Sequence, residues 1–293
     1  MKKRNPSPNP NSRRQIKKRQ DTERAEVAAP KRARSLRPPV SKAPPERLQK
    51  FLAQHGYGSR RQAEDWIRAG RIRVNGQPAE LGQKVTPTDR ITLDGRTLRF
   101  TPPENQTIVY RKRVGEIVTR KDPQGRPTVF QRLPKLSAGR WVAVGRLDLN
   151  TSGLMLFTTD GELARRLMHP SSQIAREYAV RVIGDINDDT LRQLREGIEL
   201  EDGFAAFDSL VDQGSEGANR WYHVTVSEGR NRIVRRLWEA MDCQVSRLIR
   251  VRFGPITLPN NLASGRSRPL DRQELKALHQ LVAKSPGSAT KDD

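Results

Sequence analysis

The stretch "VGRLDLNTSGLMLFTTDGELARRLMHP", residues 144–170, decides the reading of this chain. The apolar run before it, "RWVAV", reads as a strand ending at Gly145, and "GLMLFTT" reads as the next strand. The segment "GELARRLMH" then has helical spacing. Asp148 therefore sits on a loop held between two strands, a common position for a catalytic group. Arg146, two residues earlier, suits a phosphate or a carboxylate. Asn150, Thr151, Ser152 and Gly153 supply turn chemistry, so Asp148 has two readings at this point: a reacting group or a turn cap.

Working outward, residues 105–283 alternate strand and helix patterns. "EYAVRVIG" and "WYHVTVSEG" read as strands, and "DDTLRQLREG", "NRIVRRLWEAM" and "DRQELKALHQLVA" as helices. The expectation is an α+β domain with a mainly antiparallel sheet. Residues 46–100 form a smaller domain of two helices and a short β-element. In "ERLQKFLAQHGYG", Leu48, Phe51 and Leu52 share a helical face. In "SRRQAEDWIRAG", Ser59 and Gln62 have the spacing of a capping box. Asn75-Gly76 and Asp94-Gly95 are hairpin signals. Arg60, Arg61, Arg68, Arg71 and Arg73 lie on or beside the second helix against two local acids, Glu64 and Asp65, which points to a phosphate-binding face.

Residues 1–45 hold 14 Lys+Arg against 3 Asp+Glu, half of the chain's formal net charge of +22. They also hold 8 of the 20 prolines and few aliphatic residues, which predicts a disordered basic tail. It acts either as an electrostatic arm for nucleic acid or as a solubilising segment. Residues 284–293 read as a second, short disordered tail. The net charge favours a polyanion, with RNA, DNA and an anionic membrane surface all eligible. No apolar run approaches the ~18 residues of a membrane span. The charged start is followed by no apolar region of the kind a signal peptide needs. A single cysteine, Cys243, excludes an internal disulfide, and His55, His169, His223 and His279 lie far apart, so no metal site is expected. The chain reads as a cytoplasmic polyanion-binding protein, and a monomer.

Three further segments carry candidate residues. In "SEGRNRIVRRLWEAM", Ile233, Leu237 and Met241 make an apolar stripe with Val234 alongside. Arg230, Arg232, Arg235 and Arg236 crowd the start of the same helix. Four cations there oppose the helix dipole and one another, so a phosphate backbone or a carboxylate must compensate. Tyr178 lies in a strand on the face of Val180 and Val182, as a core residue or as a stacking platform for an extruded base. In "LIRVRFGPI" strict alternation puts Arg250 and Arg252 on one face of a strand.

Taken together and in order, "GRLDLNTSGLMLFTTDGELARRLMHP", "REYAV", "EGRNRIVRRLWEA" and "SRLIRVRFGPI" resemble the RsuA-like pseudouridine synthases, in particular the branch acting on large-subunit ribosomal RNA. Residues 46–93 resemble the S4 RNA-binding domain that precedes the catalytic domain in this family. The resemblance implies isomerisation of uridine to pseudouridine in ribosomal RNA, 23S in that branch, as naked RNA or in a pre-ribosomal particle, with no cofactor and no metal. It implies Asp148 as the catalytic aspartate, Tyr178 as the base-stacking, proton-handling tyrosine and Arg235 as the arginine paired with Asp148. Arg146, Arg230, Arg232, Arg236 and Ile233 fall at substrate-binding positions. The family's first motif usually has Lys-Pro before a glycine, whereas this chain has "YRKRVGE", with Arg113 in the proline's place. A single loop aspartate suits an isomerisation, because no water is activated and the leaving base re-adds; hydrolytic glycosidases use two carboxylates. Two other functions remain open: a non-catalytic ribosome-assembly factor that binds RNA, and a DNA-binding regulator, against which stands the lack of a helix-turn-helix pairing.

Overall fold

The computed structural model of the protein describes residues 44–101, 104–216 and 219–284. The tail expected over residues 1–45 lies outside the described residues except for Pro44 and Pro45, and the C-terminal tail lies outside them beyond Lys284.

The smaller region starts with helices α1 (Leu48–Gln54) and α2 (Arg60–Arg68). Helix α2 is closed by the reciprocal cap: the Gln62 amide donates to Ser59 Oγ at 3.0 Å and the Ser59 amide to Gln62 Oε1 at 3.4 Å. Two donors that a helix start leaves without partners are satisfied in this way. The helices bury Leu48, Phe51, Leu52, Ala63 and Ile67 against Ile72, Val74 and Ile91. The last three come from a four-stranded antiparallel sheet of order β2-β1-β3-β4, with β1 at Ile72–Val74, β2 at Gln77–Pro78, β3 at Ile91–Leu93 and β4 at Arg96–Thr97. Its two hairpins turn at Asn75-Gly76 (φ 52° and 88°) and Asp94-Gly95 (φ 51° and 77°). Two consecutive positive φ values are what a two-residue turn between twisted strands requires, and Asn/Asp-Gly supplies them.

The larger region is organised by one nine-stranded sheet. Its principal strands are β5 (Thr107–Lys112), β6 (Val142–Val144), β7 (Ser152–Thr158), β8 (Arg176–Ile183), β9 (Ser209–Glu216), β10 (Asn219–Val226), β11 (Gln244–Phe253) and β12 (Ser267–Pro269). The order is β9-β10-β8-β11-β7-β5-β12, with β6 also pairing with β7. Every strand pair is antiparallel except β11 with β7. The α+β expectation holds. Strands β5 and β9 lack clean alternation and emerge only in the structure.

Both faces of the sheet are covered. Ile108, Tyr110, Met155, Phe157 and Val180 join one core cluster, with Leu194 of helix α4 (Asp188–Glu196) and Leu237 and Trp238 of helix α5 (Ile233–Glu239). Val109, Leu154 and Leu156 join the other, with Leu163 and Leu167 of helix α3 (Gly161–Met168) and Leu278 of helix α6 (Arg272–Lys284). A strand buried on both faces needs apolar residues at consecutive positions, which is why "GLMLF" is continuous rather than alternating. Among the described residues no helix is long and apolar enough to cross a membrane.

Strand β7 has an unusual neighbourhood. One edge pairs with β5 along its length, Thr107 opposite Thr158 through Lys112 opposite Gly153. The other edge pairs first with β11, at Ser152 and Gly153, and then with β6, at Leu156, Phe157 and Thr158. The connection 145–151 is thus displaced to where β6 and β11 part, and there the sheet opens.

Candidate active site

At that opening lies a cleft of about 740 Å³. Its lining includes Arg146 and Asp148 from the loop, Tyr178 from β8, Arg230, Arg232, Ile233 and Val234 around the start of α5, and Arg250 from β11. Four segments far apart in sequence meet here, and every catalytic or substrate-binding candidate except Arg235 and Arg236 lines the cleft.

The loop is held by its main chain. Lys112, at the end of β5, is 0% exposed, and its ammonium donates to the carbonyls of Asp148 at 2.9 Å, Thr151 at 2.8 Å, Arg113 at 3.0 Å and Leu149 at 3.4 Å. Burial pulls the Lys112 pKa down to about 8, while the carboxylates of Glu116 and Asp148 act in the opposite direction. The Thr151 amide closes the turn on the Asp148 carbonyl at 3.1 Å, and Gly115 donates to the Leu149 carbonyl at 2.9 Å. The Asp148 carboxylate forms no hydrogen bond or ion pair with any described residue. It does not cap the turn, and it is free to meet a ligand. The family's Lys-Pro motif falls with its lysine on Lys112, but nothing in the sequence shows its burial, because a lysine ending a strand ordinarily reaches solvent. Replacing Lys112 with Met is expected to leave the Arg113 and Thr151 carbonyls without a donor, while Asp148 and Leu149 keep theirs, and to cost about 2–4 kcal/mol of stability. Thermal unfolding measures this; a melting temperature equal to wild type would show that water satisfies those groups instead.

The position expected to carry proline explains itself. The Arg113 amide donates to Glu116 Oε2 at 3.0 Å, beside the Tyr110 hydroxyl at 2.7 Å. Glu116 is buried, and its other oxygen is 2.9 Å from Arg132 Nε. A proline has no amide hydrogen to give. Here a non-proline residue completes the solvation of a buried carboxylate, and burial, then Glu116, raises the Tyr110 pKa. The Arg113 guanidinium also reaches the Ser264 carbonyl at 2.9 Å. Arg113→Pro is expected to lower stability by about 1–3 kcal/mol, the cost of one lost hydrogen bond to a buried carboxylate, as read from urea unfolding.

Arg235 is 8% exposed and sits behind the loop. The direct ion pair with Asp148 implied by the family resemblance is not formed. The guanidinium is taken up by two main-chain carbonyls, Asn150 at 3.1 Å and Val245 at 2.8 Å, and its Nε has no hydrogen-bond partner among the described residues. Burial lowers its pKa, Arg232 adds to that, and the charge of Asp148 counters it. Its contact with Asp148 is therefore through space and through the loop backbone.

The helix-start arginines are compensated within the chain. Asp202 accepts from Arg236 at 2.6 and 2.8 Å and from Arg230 at 3.0 Å. Glu228 holds Arg230 at 2.5 Å, and Glu239 holds Arg232 at 2.8 Å. Arg236 points to Asp202 rather than into the cleft. Of the two alternatives left by the sequence, carboxylates offset the charge. Arg146, exposed on the loop, has no such partner among the described residues. On the small domain, Arg71 is paired with Asp94 at 2.6 and 2.9 Å and Arg68 with Asp65 at 2.9 Å. Arg60, Arg61 and Arg73 are exposed with no acidic partner among the described residues. Asp94 lies 23 positions from Arg71, so a count of local acids misses it.

Tyr178 is 9% exposed and lines the cleft, with no partner for its hydroxyl among the described residues. Strict alternation fails at its neighbours on β11. A bulge sets Arg250 opposite Tyr178 and Arg252 opposite Glu177, so the two arginines face opposite sides of the sheet. Arg252 binds Glu177 at 2.7 Å, and His223 binds the same carboxylate at 2.9 Å. Arg250 turns inward instead.

The sequence pattern of RNA pseudouridylate synthase matches residues 106–240, and that of the S4 domain matches residues 46–91. A ribosomal large subunit pseudouridine synthase B from Yersinia pestis is 57% identical over 242 residues, covering 81% of this chain and 76% of the relative. The protein of the same name from Escherichia coli strain K12 is 54% identical over 251 residues, covering 84% of this chain and 86% of the relative. A crystal structure of pseudouridylate synthase superposes with a TM-score of 0.56 at 28% identity, covering 79% of this chain and 99% of that one. With the cleft, the loop aspartate and the preceding small domain, these likenesses make the chain a member of the RNA pseudouridylate synthase family, with an N-terminal S4 domain.

Proposed function

We propose that the protein isomerises uridine to pseudouridine in large-subunit ribosomal RNA, 23S in the bacterial case, as a monomer in the cytoplasm. The observation that carries this is the unpaired Asp148 carboxylate in the same cleft as Tyr178. In this reading residues 46–100 are the S4 RNA-binding domain and residues 105–283 the catalytic domain. The target uridine leaves its stack and enters the cleft against Tyr178. Asp148, ionised, meets the electron-poor C1′ as the N1–C1′ bond breaks. Ile233 supplies an apolar wall, Arg235 holds the loop from behind, and Arg146 at the rim engages the RNA backbone. Arg232 serves the same face with Glu239 as an exchangeable partner, since exposed ion pairs hold weakly. Arg230, half-buried and held by Glu228, Asp202 and the Gly203 and Phe204 carbonyls, is a fixed substrate-facing cation of the cleft wall. Arg236 acts through Asp202.

Incubation with unmodified ribosomal RNA, followed by mapping of pseudouridine, tests the reading. One or a few modified uridines in the large-subunit RNA are expected. RNA bound tightly with no uridine converted would instead make the protein a ribosome-assembly factor.

The charge distribution makes a separate prediction. Arg60, Arg61, Arg68, Arg71 and Arg73 are read as the phosphate-binding face, with Arg60, Arg61 and Arg73 its members without an acidic partner among the described residues. Arg60→Ala with Arg61→Ala is expected to lower the slope of log affinity against log salt by about 2, and deletion of residues 1–43 to lower it further. Filter binding at several salt concentrations reads the slope; an unchanged slope in both variants would assign RNA binding to the cleft alone.

A further inference from the structure

The cleft contains a cation that none of the roles above uses. Arg250 is 2% exposed. Its Nε donates to the Leu154 carbonyl at 2.7 Å, and its Nη2 is buried without a hydrogen-bond partner among the described residues. Arg176 lies close by on β8. Its Nη1 donates to the carbonyls of Ser227 and Glu228 at 3.1 and 2.9 Å. Both guanidiniums pack on the ring of Phe253, at 5.5 and 5.4 Å from its centroid. Neither arginine has a carboxylate partner among the described residues, whereas Arg230, Arg232, Arg236 and Arg252 each have one. A buried cation with a free donor is costly unless an anion or an acceptor arrives.

We propose that Arg250, assisted by Arg176, is a further catalytic residue, which stabilises the uracil anion released when the glycosidic bond breaks. This rests on the pseudouridine synthase reading and deepens it. Position argues for the base and against a phosphate. Arg250 is directly opposite Tyr178 on the neighbouring strand, on the same face of the sheet. Its guanidinium lies on the ring of Phe253, and Val144, Leu167 and Leu248 add apolar lining to the same cleft. A flat base fits there; a phosphate stays at the solvated rim, where Arg146 is.

The chemistry asks for such a charge. When N1–C1′ breaks, its electron pair stays on the base, and the negative charge spreads over N1, O2 and O4. Asp148 meets the charge left at C1′. The base turns, C5 gives its electron pair to C1′, the proton on C5 is lost, and N1 takes one up, so that atoms and charge balance. A guanidinium beside O2 or O4 interacts more strongly with the anion than with neutral uracil, which is the condition for lowering a barrier. A group that can only donate also disfavours cytosine, which presents an amino group where uracil has O4.

Single-turnover rates on an unmodified ribosomal RNA transcript test this with Arg250→Met and Arg250→Lys, on uridine and on 5-fluorouridine substrates. The fluorinated base is more acidic and leaves more readily as an anion. Arg250→Met is expected to slow uridine cleavage about 100-fold, with a clearly smaller loss on 5-fluorouridine. Arg250→Lys is expected to fall between Met and wild type, and RNA affinity and its salt dependence to stay unchanged. An equal loss on both substrates overturns the proposal. So does weaker RNA binding with a salt slope reduced by about 1, which would make Arg250 a phosphate contact. If the Arg250 variants do not fold, Arg176→Met must show the same leaving-group dependence, and its absence overturns the proposal. A wild-type enzyme that forms no pseudouridine would reject the parent reading instead.

Discussion

Asp148→Asn is expected to abolish pseudouridine formation, by on the order of 10⁴-fold or about 5 kcal/mol of barrier, and to leave the fold intact. The two halves of that result come from the same geometry. The side chain makes no hydrogen bond or ion pair with a described residue, while the Asp148 carbonyl carries the contacts from Lys112 at 2.9 Å and from the Thr151 amide at 3.1 Å. An amide in place of the carboxylate leaves those main-chain contacts in place, so the stability change is expected within about 1 kcal/mol. What disappears is the negative charge that the electron-poor C1′ requires. Mapping pseudouridine in ribosomal RNA treated with each protein, next to a melting curve and an RNA-binding isotherm, reads all three quantities. Equal modification by the variant would sink the assignment of Asp148. Lost RNA binding would give the carboxylate a structural part that its surroundings do not support.

The second large effect belongs to Gly153→Ala. Gly153 has φ +103°, a conformation that L residues rarely adopt. It also stands between Lys112 on one side and Arg250 on the other. A Cβ there would come 2.3 Å from the Arg250 carbonyl oxygen and 2.7 Å from its amide nitrogen. Both are backbone atoms of a central strand, so neither can swing aside. Conformational strain of about 1–3 kcal/mol adds to overpacking of about 1–3 kcal/mol. The expected loss is about 3–5 kcal/mol in urea unfolding. Activity should fall more steeply than stability, because the substitution pushes apart the start of β7, which sets the Asp148 loop, and the strand that carries Arg250. A misplacement of about 1 Å can cost about 100-fold in rate. An unchanged unfolding midpoint would mean that β7 and β11 are not in register as described.

Several features needed nothing beyond the order of residues. The helix caps and hairpins of the small domain are local, and Ser59 with Gln62, or Asn75 with Gly76, already contains the whole interaction. The loop between two strands at Asp148 was legible for the same reason, since flanking apolar runs and turn residues are neighbours in the chain. The family motifs in order went further and singled out Asp148, Tyr178 and Arg235 as candidates; the first two line one cleft, and the third stands behind the loop.

What only the tertiary structure decided is how charges separated in sequence are matched. Asp202 joins Arg230 and Arg236 across about thirty residues, and Asp94 takes Arg71 out of an apparently free basic face. Arg235 binds the carbonyl of Asn150 instead of the Asp148 carboxylate. Lys112 is buried because the loop folds its carbonyls over it. The bulge on β11 sends Arg250 into the cleft and Arg252 to the other face, against strict alternation. Local hydrogen bonds and side-chain periodicity are properties of neighbouring residues, so the sequence alone determined them. Charge pairing, burial and strand register depend on which distant segments meet, so the sheet and its opening decided those.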